Sequence, residues 1–210
     1  MNLGTILRKI DGELERRERI KNELYNSMRQ ATRLSKQAIF LTHRRQFDRA
    51  NELLGEAAKL FSMLEDGTSR HREFAHANVV YAAFEEYAEA QILLSLLQED
   101  KFVGPEEIHV PYTSYLLGLA DVVGELRRAA LDSLRREEIE IAEKHLERME
   151  LIYSKSISMD AAMHFVSELR RKTDVSRRII EATRGDVTNE VCRNSLERSI
   201  KKLQTSITTE

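Results

Sequence analysis

Apolar residues return every three or four positions from the start of the chain. Leu3, Ile6, Leu7, Ile10 and Leu14, followed by Leu24, Met28, Ala31, Leu34, Ala38 and Leu41, keep that spacing, which lines one side of a helix. The pattern predicts a first helix over 3–43, roughly 60 Å long at 1.5 Å per residue. Such a helix overruns a small domain, so part of it is expected to pack against another subunit. A short break at Arg44-Arg45-Gln46-Phe47 precedes a second helix. Asp48 is its expected cap, Ala50, Leu53, Leu54, Ala57, Ala58, Leu60 and Phe61 its core face, and Gly67-Thr68-Ser69 its end.

The same reading gives a third helix from Arg70 to Glu99, closed by Lys101-Phe102-Val103-Gly104-Pro105. A fourth runs from Pro111 to Leu134 with the proline in its first turn. A fifth covers 137–154, a sixth 159–184 with Gly185 as its stop, and a seventh 188–204, glycine being common just past a helix end. No internal repeat or linker interrupts the series. The expected fold is all-α: one domain over 1–210, a bundle of about seven helices with a long N-terminal helix.

Composition agrees. Only two prolines punctuate 210 residues, and 41% of the chain is hydrophobic, enough for a sizeable core. The single cysteine, Cys192, has no internal disulfide partner, which fits a reducing compartment. No apolar run approaches the roughly 18 residues that cross a bilayer, and no secretion signal opens the chain, so a soluble, cytoplasmic protein is expected. Charge is distributed unevenly. Residues 1–50 hold 12 Lys/Arg against 6 Asp/Glu, residues 51–150 hold 10 against 21, and residues 151–210 hold 11 against 8. Basic ends around an acidic middle suit a chain that binds a polyanion with one part and a cation with another.

The acidic middle is also the most apolar part. Between Arg72 and Arg127 the only Lys or Arg is Lys101, and the third and fourth helices are apolar nearly all round, the mark of burial on several sides. Glu86 falls inside an apolar stripe of the third helix and Glu89 at its edge, with Glu85 less well placed. Glu86 and Glu89 are three apart, and Asp121 and Glu125 four apart, so each pair shares a helix face. Buried carboxylates without a cation are costly. Protonation is one escape. The other is a divalent ion, and hard oxygen donors without Cys or an obvious His select Mg²⁺ or Mn²⁺. A carboxylate-held metal beside a basic surface is an apparatus for phosphodiester hydrolysis, with a carboxylate taking the proton of the attacking water.

The fourth helix also carries a resemblance. Ser114-Tyr115-Leu116-Leu117-Gly118-Leu119-Ala120-Asp121-Val122-Val123-Gly124-Glu125-Leu126-Arg127-Arg128 resembles the signature helix of the translin/Trax family, roughly D-Y-L-L-G-x-x-D-x-x-G-E-L-x-R. Glu86-Tyr87-Ala88-Glu89-Ala90 is similar to the Trax segment E-Y-x-E-A, and Arg184-Gly185 to the R-G that closes a late helix. Translin itself has apolar residues where Trax carries the first glutamate, so Glu86 points to the Trax branch. The resemblance implies that Glu86, Glu89, Asp121 and Glu125 form a catalytic, Mg²⁺-binding (or Mn²⁺-binding) cluster. It implies an octameric helical barrel in which RNA is enclosed and cleaved. Trax acts with translin, so a homo-oligomer or a translin-type partner chain is expected. Ser114 departs from the acid that opens the signature, Asp132-Ser133 from a frequent Asn-Ser, and no tyrosine precedes Arg184-Gly185.

Other readings are weaker. A ferritin-like di-iron site needs two Glu-x-x-His motifs on helices; Glu73-x-x-His76 and Glu106-x-x-His109 exist, but the second lies between Pro105 and Pro111. MazG-type pyrophosphatases use Glu-x-x-Glu with Glu-x-x-Asp, which Asp121-x-x-x-Glu125 does not match. The non-enzymatic rival is a translin-like RNA- or DNA-binding scaffold. Arg128 is a candidate nucleic-acid contact, or else an i,i+3 partner of Glu125. His76, His145 and His164 are read as packing or surface residues. The expectation is therefore a Mg²⁺- or Mn²⁺-dependent endoribonuclease acting on RNA, single-stranded for preference, within a helical homo-oligomer and away from membranes.

Overall fold

A computed structural model describes residues 2–68 and 78–208, and of residues 63–68 and 206–208 the backbone alone. The described residues are all-α: α1 (Leu3–His43), α2 (Phe47–Thr68), α3 (Asn78–Gln98), α4 (Tyr112–Leu134), α5 (Ile139–Ile157), α6 (Asp160–Phe165) and α7 (Ser167–Thr208). The expected start of the third helix at Arg70, and the Glu73–His76 pair, lie outside the described residues. The chain divides into two compact units, Met1–Tyr115 and Leu116–Glu210, with the boundary inside α4.

In the first unit α1 packs against both α2 and α3. The 3–4 spacing read from the sequence buries Met28, Ala31, Leu34 and Ala38 of α1, and Ala50, Leu54, Ala57 and Phe61 of α2. Phe61 stacks on Phe84 with ring centroids 4.3 Å apart, and Tyr87 tilts against it at 5.2 Å. α1 is capped by Asn2, whose side-chain oxygen accepts the Thr5 N–H, and it runs unbroken through Gly12. Arg45, at φ 58°, turns the chain into α2. Asp48 proves to sit in the first turn of α2 rather than at its cap, where its charge still favours the helix N-terminus. α3 buries side chains on nearly every side, from Val80 to Leu96, as its composition requires. Ser114, the departure from the family acid, is buried and donates to the Tyr81 carbonyl at 3.2 Å.

Two apolar clusters of described residues lie in the second unit. Ala120, Val166 and Leu169 gather Leu116, Leu117, Ala162 and Met163, while Ala130, Ala142 and Val187 gather Leu134, Leu146 and Val191. The expected sixth and seventh helices are replaced by the short α6 and the long α7. The break falls at Val166 (φ −105°, ψ 88°), which enters the first cluster by leaving helical geometry. Gly185, the expected stop, lies inside α7. A glycine costs a helix interior only about 1 kcal/mol; here Arg184 binds Glu150 at 2.6 Å, and Asp186 binds Arg127 at 3.1 Å, holding the helix on both sides of it. Buried His145 meets Arg148 at 3.2 Å, a packing role.

Candidate functional site

The two carboxylate pairs belong to different units and are best taken one at a time. On α3, Glu86 and Glu89 are half-buried, flanked by the buried Ala83, Tyr87, Ala88 and Ala90. The sequence led us to expect no cation beside them. The structure corrects this: Lys36, from α1, places its Nζ 3.1 Å from Glu86 Oε1. The Lys36 side chain is 62% exposed and that of Glu86 27%, so the pair sits at the rim of the helix contact.

On α4, Asp121 and Glu125 are likewise half-buried. Lys172 of α7 binds both oxygens of Asp121, at 2.6 and 2.5 Å. Its side chain is only 13% exposed, against 33% for Asp121, so this ammonium is largely out of water and its charge is weakly screened. Glu125 has Arg128 one turn on, at a looser 3.8 Å. That contact is the i,i+3 pairing foreseen for Arg128, whose guanidinium remains exposed.

The pairings were hidden because a search along α3 and α4 sees only those helices. Lys36 and Lys172 arrive from elements some fifty residues away in sequence. Protonation and metal binding were the two ways read for relieving the acids; an ammonium delivered by packing is a third. The oxygen donors are those that Mg²⁺ or Mn²⁺ takes. The arrangement does not present them as a cage: among the described residues no group of three or more His, Cys, Asp or Glu is placed to hold an ion.

Sequence reasoning also missed a hollow of about 510 Å³ in the first unit, bordered by Phe61, Tyr87, Gln91, Glu107 and His109. Gln91 Nε2 donates to the Tyr87 hydroxyl at 2.7 Å, and burial pushes the Tyr87 phenol up from its usual pKa. Glu106 and His109 lie in the loop before α4, with His109 at φ 52°, so they form no helical Glu-x-x-His motif. None of the described helices is long and apolar enough to cross a membrane.

An uncharacterized protein of Methanocaldococcus jannaschii is 33% identical over 127 residues, covering 60% of this chain and 57% of that protein, so the match spans little more than half of the relative's length. Among solved structures, AfC3PO in complex with duplex RNA matches with a TM-score of 0.79 and 28% identity, over 89% of this chain and 97% of that one. A crystal structure of AfC3PO matches with the same TM-score and 29% identity, over the same shares. The model of the Translin family fits residues 15–182, a stretch that takes in most of α1 and the helices carrying all four acids. The chain belongs to the Translin family.

Proposed function

We propose that this chain binds RNA and cleaves it as an endoribonuclease of the Trax kind, working as a homo-oligomer, with the octamer as the expected form. The observation that carries the reading is the presence of Glu86, Glu89, Asp121 and Glu125, half-buried in two same-face pairs, in a Translin-family chain similar to AfC3PO, whose structure is known in complex with duplex RNA. A carboxylate at these positions takes the proton of the attacking water. A cation beside an acid, as Lys36 is beside Glu86 in the first unit and Lys172 beside Asp121 in the second, offsets negative charge as it builds on a phosphate held there. Dependence on Mg²⁺ or Mn²⁺ belongs to the same proposal, with those four acids as donors.

The ion pairs favour a second reading, an RNA-binding scaffold without turnover, in which Lys36 and Lys172 simply neutralise the acids. One experiment separates the two. End-labelled RNA, single-stranded and duplex, is incubated with the purified protein in Mg²⁺, Mn²⁺ or chelator, beside Glu89→Gln. Metal-dependent cuts that vanish in the variant, with assembly unchanged, support the nuclease. Binding without cutting in either metal leaves the scaffold, unless adding a translin-type partner chain restores cleavage.

A further inference from the structure

Several cations among the described residues are matched by an acid one helical turn away. Arg16 and Arg17 both bind Glu13, at 3.1 and 3.2 Å; Arg171 binds Glu168, and Arg193 binds Glu190. The second half of α1 breaks that habit. No Asp or Glu occurs between Glu23 and Asp48, while Arg29, Arg33, Lys36, Arg44 and Arg45 all fall there.

The stretch is also organised in space. At 100° per residue, Arg29, Arg33, Lys36, Phe40 and Arg44 occupy an arc of about 80° and run about 22 Å along the axis. All five are exposed, and the buried Met28, Ala31, Leu34, Ser35, Ala38 and Thr42 lie on the opposite side of the helix. Phe40 is 46% exposed, with the Arg44 guanidinium 4.5 Å from its ring centre. A face kept wet only for solubility has no need of an aromatic ring, and gains from alternating charge.

We infer that this face of α1 is where the chain holds RNA, with phosphates on Arg29, Arg33, Lys36 and Arg44 and an unpaired base against Phe40. The inference rests on the RNA reading proposed above and assigns its surface. Aligned cations follow a backbone without reading sequence, and an aromatic ring among them is the element that single-stranded nucleic acid uses and a paired duplex does not. Lys36 ties the face to the candidate acids, because its ammonium already touches Glu86. A strand tracking the face therefore passes beside that carboxylate.

The test is equilibrium binding in chelator, where nothing is cut, read by fluorescence anisotropy over a range of salt for a single-stranded and a blunt duplex RNA. In Arg29→Gln/Arg33→Gln, affinity for both RNAs falls about tenfold, and the slope of log K against log salt for single strands drops by about 1.4, from about 0.7 per charge removed. Phe40→Leu weakens the single strand about tenfold and leaves the duplex unchanged. Arg16→Gln/Arg17→Gln, which removes charges already paired with Glu13, changes neither. All of these positions are exposed, so unaltered thermal melts check the fold. Wild-type affinity and slope in the first variant overturn the assignment, and equal losses on strand and duplex in Phe40→Leu overturn the stacking. A wild-type protein that binds no RNA fails earlier, at the RNA reading itself.

Discussion

Lys172 and Asp121 stand 51 residues apart in the chain, yet the ammonium of one lies 2.6 Å from one carboxylate oxygen of the other and 2.5 Å from the second. Both side chains are more buried than an ordinary surface pair. Each is thus the main reason the other is tolerated: an amine or a carboxylate left alone at that depth keeps its desolvation cost without the compensating attraction.

A double-mutant cycle measures this. Lys172→Met and Asp121→Asn are each expected to lower stability by about 1–2 kcal/mol, between an exposed pair and a fully buried one. The double variant should lose less than the two single losses combined, because neither group is stranded. Urea unfolding of the four proteins supplies the numbers. Additive losses would show that the contact contributes nothing.

The acids of the proposed reaction can be separated from their neighbours by charge-neutral substitution. Glu86→Gln, Glu89→Gln and Glu125→Gln are each expected to slow RNA cleavage at least about a hundredfold, with RNA affinity equal to or tighter than wild type since a negative charge is removed. Glu85→Gln alters the same stretch of α3 and should cleave normally. Single-turnover cleavage beside anisotropy binding gives both readouts. Cleavage that survives all three changes would remove these carboxylates from the reaction.

What the sequence made legible was information carried within one helix. The all-round apolar character of α3 came true as burial from Val80 to Leu96, and the spacing of Glu86 with Glu89 and of Asp121 with Glu125 placed each pair on one face. Partners supplied by other helices were not legible. Nothing local to α4 announces Lys172, and nothing local to α3 announces Lys36. The helix break was misplaced for a related reason. Gly185 has the residue type of a stop, but the described glycines all avoid positive φ, and the ion pairs of Arg184 and Asp186 outweigh its modest propensity cost. Val166 has the residue type of a continuing chain and breaks because its burial with Ala120 and Leu169 is worth more than one helical turn.

The loop before α4 gives a prediction in acid. Glu107 accepts the Gly104 N–H at 2.9 Å and the Lys101 ammonium at 2.9 Å, and these, the backbone bond first, hold its carboxyl below the usual 4.5. A group whose pKa is lower in the folded than in the unfolded chain stabilises the fold fully above the unfolded value. That contribution is lost as pH falls through the folded value. The Gly104 amide shift, followed by NMR, should therefore titrate with a midpoint below 4.5. In Lys101→Met the midpoint should rise yet stay below 4.5, since the Gly104 bond remains. A midpoint at or above 4.5 in the wild type would mean that the loop contact does not form.

The start of α1 raises a different question, because its apolar residues face water. Leu3, Leu7, Ile10 and Leu14, with Ile6 beside them, are from 38% to 68% exposed, and their spacing of four, three and four is that of a helix–helix seam. The end of α7 repeats the spacing with Leu196, Ile200 and Leu203, all exposed as well. Burying one such side chain is worth about 1.5–3 kcal/mol, so two seams left in solvent forgo much of what the sequence invests in them, and exposed apolar surface arranged this way marks association. If α1 carries an interface between copies of this chain, Leu7→Glu/Ile10→Glu should lower the particle mass measured by light scattering after gel filtration. Helix content by circular dichroism should stay near wild type, because these side chains are not part of the buried core of α1, which begins at Met28. An unchanged mass would take the seam out of the assembly and leave the exposed face at the other end of the chain, on α7, as the surface to vary.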